Sequence, residues 1–269
     1  MKYFNPIKRL FCILGIVVLS VTTVSTNLSC DTDPCDAIAL ADLTIPVIAD
    51  LFDQFGNPII DQNTGQIIQG LNELYYNRRT QELFNNQFPP SQGVLVGDVI
   101  DMATSIYNVF SPTNCELGNT AGPSTTAPRL TINGPLFSGE QPLQGMFTPQ
   151  VPSNGKVFTA TAFEILTPGF YTVDFNANAP RNVPEHNFDN NFYFGDNGTY
   201  NSSNRITKNC SFYVENTPNR IANKNPSLYA HKDLAPKNLE EMKNLEIYKI
   251  INSDRLENWY REKYNLKQQ

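Results

Sequence analysis

Histidine is scarce in this 269-residue chain, which has only His186 and His231. Two such distant residues cannot make a helix with paired zinc-binding histidines, nor a three-histidine centre. Glycine patterns are missing too. There is no Gly-x-Ser-x-Gly elbow, no dinucleotide fingerprint and no phosphate loop, since Gly155-Lys156 lacks both the earlier glycine and the following Ser or Thr. Positive charge is in deficit, with 20 Lys and Arg against 26 Asp and Glu and a pI near 5.0. That balance excludes nucleic acid as a partner, because displacing counterions from phosphates needs a basic surface. The mean hydropathy of -0.34 excludes a multi-span helical membrane protein. With 40% hydrophobic residues the chain is nevertheless apolar enough to fold.

What is present begins with an address. Lys2, Lys8 and Arg9 precede an uncharged run from Leu10 to Val24, followed by small and polar residues up to Ser29 and Cys30. That order is a secretory leader, and the run is shorter than the ~20 residues a membrane-spanning helix needs. Asn27-Leu28-Ser29-Cys30 is similar to a relaxed bacterial lipobox, so lipidation is expected on Cys30 after removal of residues 1–29. Residues 30–41 then read as an acidic tether carrying Asp31, Asp33 and Asp36. Residues 30–215 hold 7 Lys or Arg against 19 Asp or Glu, a net -12, whereas residues 216–269 hold 10 against 7, a net +3. The body is therefore acidic and the tail mildly basic.

Nineteen Pro, fifteen Gly and many aromatics suit short strands joined by turns. Alternation predicts strands at Leu43 to Ala49, from Asp98 to Phe110, at Arg129 to Asn133, Lys156 to Ile165, Phe170 to Asn176 and Arg205 to Val214. Ile59-Ile60-Asp61 and Gln66-Ile67-Ile68 read as a hairpin, and Ser111 to Pro128 as a loop. Leu71, Leu74, Tyr75, Leu83 and Phe84 fit a short helical insertion closed by Pro89-Pro90. The expected fold class is all-β, an antiparallel β-sandwich over residues 42–215 with that insertion and a C-terminal helical tail. After a linker at 216–235, residues 236–269 carry apolar residues at helical spacing, with a break at Asn252-Ser253 and Ser253 as N-cap. Leu256, Trp259 and Tyr260 are its candidate partner-binding residues, although packing on the chain's own domain is the favoured reading. With Cys30 acylated, the strand layout favours a Cys35–Cys115 disulfide, with Cys115–Cys210 as the alternative.

The segment Thr167-Pro168-Gly169-Phe170-Tyr171-Thr172-Val173-Asp174-Phe175, followed by Val183 to Asn191, resembles the closing motif of the CARDB family of bacterial cell-adhesion-related domains. Glu185, Asn187, Asn190 and Asn191 match its Glu-x-Asn-Glu-x-Asn-Asn ending; Phe188 replaces the second Glu and Asn178 the loop Asp. The resemblance implies an immunoglobulin-like sandwich acting as a binding or spacer module, without catalysis and without a cofactor. Its Asn- and Glu-rich loop offers oxygen ligands for calcium at Asn178, Glu185, Asn187, Asp189 and Asn190. The expected protein is a lipid-anchored component of the cell envelope, at the outer membrane or cell surface, binding a protein or glycan. The alternative is a secreted hydrolase, or an accessory subunit of a glycan- or protein-processing complex.

Mass spectrometry of the mature protein tests the address. It is expected to begin at Cys30 with an acyl mass on it, and Cys30→Ala is expected to release the protein from membranes. An unmodified chain retaining residues 1–29 would contradict this reading.

Overall fold

The computed structural model describes residues 41–46, 48–53, 55, 57–109, 120–183, 211–215 and 231–266. In chain order the strands begin with β1 (Leu43–Thr44), β2 (Ile48–Asp50), β3 (Gln69–Leu71), β4 (Glu73–Asn77), β5 (Glu82–Phe84), β6 (Val94–Leu95) and β7 (Val99–Asn108). There follow β8 (Ser124–Asn133), β9 (Ser138–Pro142), β10 (Met146–Thr148), β11 (Lys156–Ile165), β12 (Gly169–Asn176), β13 (Ser211–Glu215) and β14 (His231–Asp233). Three helices end the chain, α1 (Leu239–Lys243), α2 (Glu246–Ile251) and α3 (Asp254–Lys263).

The strands make two main sheets. The first has the order β14-β11-β7-β4-β5, with β1 also on β7; the second has the order β10-β8-β12-β13-β6, with β9 also on β8. All pairings in them are antiparallel except β6 with β13. The order is immunoglobulin-like, because β7 and β11 share one sheet while β8, β12 and β13 share the other. The crossover from β11 to β12 is fixed by a tyrosine corner. Tyr171 at the start of β12 donates its hydroxyl to the Thr167 carbonyl at 2.8 Å, the device by which such sandwiches lock the turn between sheets.

Alternation explains which side chains fill the space between the sheets. Tyr171, Val173 and Phe175 of β12 point inward with Leu130 and Ile132 of β8 and Ile100, Met102 and Ile106 of β7. Tyr75, Phe84, Tyr171 and Phe212 form an aromatic cluster there, with Tyr171 stacked on Phe212 at 5.5 Å. A second core lies on the opposite side of the first sheet. Ala103, Ala160 and Ala162 present a flat face, and Met242, Ile247, Ile250, Ile251, Leu256 and Tyr260 of the helices settle on it. Each large aliphatic buried there contributes about 1.5–3 kcal/mol before ordering costs. Ser253 caps α3 by accepting from the Arg255 backbone N–H.

Three expectations need correction. Residues 71–84 are not a helical insertion: β4 and β5 form a hairpin joined by a turn, with β4 paired to β7. All five residues of β4 are buried, so it has no period-2 pattern, and its apolar spacing mimics a helix. The Ser111–Pro128 stretch is not loop throughout, because β8 begins at Ser124. Pro128 is tolerated where β8 passes from pairing with β10 to pairing with β9, a position needing no donated ladder bond on that edge. The first strand is also split: Pro46 separates β1, on β7, from β2, on β3.

Asp98 ties the β4–β5 turn to β7. Its carboxylate accepts from Arg79 at 2.7 and 3.0 Å, from the Asn77 amide at 2.7 Å and from the Leu95 N–H at 3.0 Å. Burial alone pushes its pKa up, but Arg79, Leu95 and Asn77 outweigh burial and hold it below the ordinary carboxylate value. A depressed carboxylate contributes stability that is present above its unfolded pKa and lost as pH falls through the folded one. Asp98→Asn is expected to cost about 1.5–3 kcal/mol at pH 7. The gap to wild type should shrink as pH falls from 4 towards 2, as measured by urea unfolding; a gap independent of pH would contradict the assignment.

Candidate binding surface

The two sheets differ in what covers their outer faces. On the first, the helices cover most of the face. On the second, the residues alternating with the inward set of β12 are Phe170, Thr172, Asp174 and Asn176. Phe170 stands in register between Asn133 of β8 and Tyr213 of β13. It is 42% exposed and Tyr213 is 61% exposed, and Leu136 in the adjoining β8–β9 turn is 49% exposed. Large apolar side chains grouped on a sheet face are costly to leave in water and mark contact surfaces.

The frame under this patch is rigid. Gly169 has φ 146°, a conformation that disfavours any side chain. A Cβ on Gly134 would lie 2.2 Å from the Pro168 carbonyl oxygen, so the two turns can pass this closely only with glycine there. Beside the aromatics, Arg129 spans three strands, reaching Glu140 of β9 at 3.1 Å and Asp174 of β12 at 3.2 Å. Burial raises the Asp174 pKa more than Arg129 lowers it. The face thus combines exposed rings with charged and amide groups.

Most residues singled out from the sequence lie outside the described residues: Cys30, Cys35, Cys115, Cys210, Glu185, Asn187, Asp189 and Asn190. Asn178 is described. It is buried with φ 46°, and its side chain closes its own loop, donating to the Val183 carbonyl at 2.7 Å and accepting from the Val183 N–H at 3.2 Å. Among the described residues no group of three or more His, Cys, Asp or Glu could hold a metal. Leu256 and Tyr260 are buried in the second core, while Trp259 is half-buried, edge-on to Phe88 at 5.7 Å. Sequence reading missed the pairing of Phe170 with Tyr213. Its signal was an aromatic at an outward position of a strand otherwise polar on that side.

No family model matches the chain, and no curated protein matches it. Among solved structures it is similar to the CARDB domain of the PF1109 protein from Pyrococcus furiosus, determined in complex with di-metal ions. The match covers 65% of this chain and 94% of that one, at 13% identity and a TM-score of 0.31. This is the family that the 167–191 segment resembles. The immunoglobulin-like assignment stands on the strand order and the tyrosine corner.

Proposed function

We propose that this chain is a lipid-anchored cell-envelope protein whose sandwich is a non-catalytic binding module, docking a protein or glycan on the outer face of its second sheet. The observation that carries the reading is the exposed Phe170–Tyr213 pair on a face that no described element covers. The leader and Cys30 support the anchor, and the acidic tether supplies reach. The residue types also fit. Tyrosine and phenylalanine bury much area at little entropic cost, and neighbouring Arg129, Asn133 and Asp174 provide hydrogen bonds to amides or sugar hydroxyls.

A hydrolase would need two carboxylates with perturbed pKa values facing one cleft. The described carboxylates raised by burial, Asp101 and Asp174, are on different sheets. Asp101 faces α2, where its carboxylate meets the Ile247 N–H, and it is also held by Arg78 at 2.7 Å. Asp174 is held by Arg129 on the other sheet.

Binding of residues 30–269 to glycan arrays and to fractionated envelope proteins tests the reading. A double variant Phe170→Ala, Tyr213→Ala is expected to weaken the interaction at least about tenfold while leaving the unfolding midpoint within a few degrees of wild type. Undiminished binding by the double variant would overturn the assignment of this face.

A further inference from the structure

The large apolar side chains exposed among the described residues gather at two opposite ends of the sandwich. Phe170, Tyr213 and Leu136 lie at the end where β11 turns into β12. Ile48, Phe55, Ile60, Ile67 and Val109 belong to the far end, where β7 finishes opposite the start of β11. The chain coming from Cys30 also enters there. Leu43 pairs with Asn108, and the Val109 N–H donates to the Asp42 carbonyl at 2.8 Å.

Four of these side chains are carried on an arm, residues 48–71. β4 pairs with β7 from Glu73↔Thr104 to Asn77↔Ile100, so β3, just before it, lies towards the Asn108 end. Phe52 of the arm accordingly has the ammonium of Lys156, the first residue of β11, 3.5 Å from its ring centroid. The arm closes on itself through the backbone: Leu51 donates to Ile68 at 2.9 Å, Ile68 to Ile59 at 2.8 Å and Ile59 to Leu51 at 2.8 Å. Those three side chains are buried in the second core. Ile60 and Ile67, opposite one another across a bridge, are exposed. Phe55 is 79% exposed, on a turn braced by Asp53, whose carboxylate accepts from the Phe55 and Asn57 N–H groups, both at 2.8 Å. Apolar residues on both sides of a two-stranded arm call for cover on both, and only the inner side has it among the described residues.

Two facts choose the outer cover. From Cys30 to Ala41 the chain can reach at most about 40 Å, and the Phe170 end lies roughly 33 Å further off, the length of a ten-residue strand. An anchor at Cys30 therefore keeps the arm's end nearer the bilayer. Residues 48–68 also carry Asp50, Asp53 and Asp61 and no Lys or Arg, so an anionic surface repels the arm and a zwitterionic one does not.

We infer that the arm seats on the bilayer that anchors the chain, with Phe55, Ile60 and Ile67 entering a zwitterionic headgroup layer and the Phe170–Tyr213 end standing away from it. The inference rests on the reading of Cys30 as the anchor. Aromatic and aliphatic side chains partition into that layer, and the tether makes the contact intramolecular, so a small apolar set suffices.

Residues 30–269 bearing an amino-terminal hexahistidine, held on phosphatidylcholine vesicles by a nickel-chelating lipid, test the contact apart from native acylation. In a Trp259→Phe background, Phe55→Trp is expected to emit at shorter wavelength on vesicles and to lose at least about half its intensity to acyl-brominated lipid. Phe170→Trp in the same background should stay unquenched. Ile60→Ser with Ile67→Ser should weaken quenching of the Phe55→Trp reporter, and added phosphatidylglycerol should weaken it at low salt only. Without any substitution, amide exchange at residues 55–68 should slow on vesicles. Water-like emission of the Phe55→Trp reporter with unchanged exchange would overturn the inference and leave the arm to a protein partner; equal quenching of Phe170→Trp would overturn the orientation. An unacylated mature chain in mass spectrometry would remove the anchor itself, a failure that the vesicle readout separates from loss of the contact.

Discussion

The pairing of β7 with β11 is the constraint on which the rest of the structure depends. Nine residue pairs, from Lys156↔Tyr107 to Glu164↔Val99, hold two long strands in one register, and both faces of this pair are buried. Because side chains alternate, a slip by one residue would exchange the two faces. One face carries Ile100, Met102, Ile106, Phe163 and Ile165 into the space between the sheets. The other carries Ala103, Ala160 and Ala162, small enough for helices to lie close. The alanine face is what makes the tail part of the fold.

That division of faces also makes the two sheets unlike on the outside. Helices cover one sheet, and among the described residues the other sheet's outer face carries the exposed Phe170 and Tyr213. The cover is imperfect where Lys156, with its long stem and charged head, enters among alanines and aromatics. Acidic residues serve the scaffold as well as solubility: Asp98 and Asp101 are buried and bonded to Arg79 and Arg78. In opposite senses they set its response to acid. Asp98 is held below its ordinary pKa and Asp101 is raised by burial, so protonation removes support at the first and relieves strain at the second.

Much of the sandwich was legible from residues alone, for identifiable reasons. Lys156–Ile165 was read with its final bounds, and β12 was read within one residue, because its inward Tyr171, Val173 and Phe175 alternate with more polar residues. The hairpin of β4 and β5 was not, since a strand buried on both sides loses alternation. The first half of β8 was hidden by its Ser, Thr and Pro composition; the buried Thr126 hydroxyl there pairs with Thr148 of β10 at 2.8 Å. The packing of Lys156 against Phe52 was invisible to any local reading, since Lys156 in sequence looks like the polar start of an exposed strand.

Hydrogen exchange on residues 30–269 tests the central claim most directly, because it reports whether tail and sheet open together. If the alanine face and the helices form one core, the amides of α2 and α3 should exchange with the same opening free energy as those of β7 and β11. Helix amides exchanging orders of magnitude faster than the sheet would show a tail only loosely laid on the sandwich, and would contradict the account.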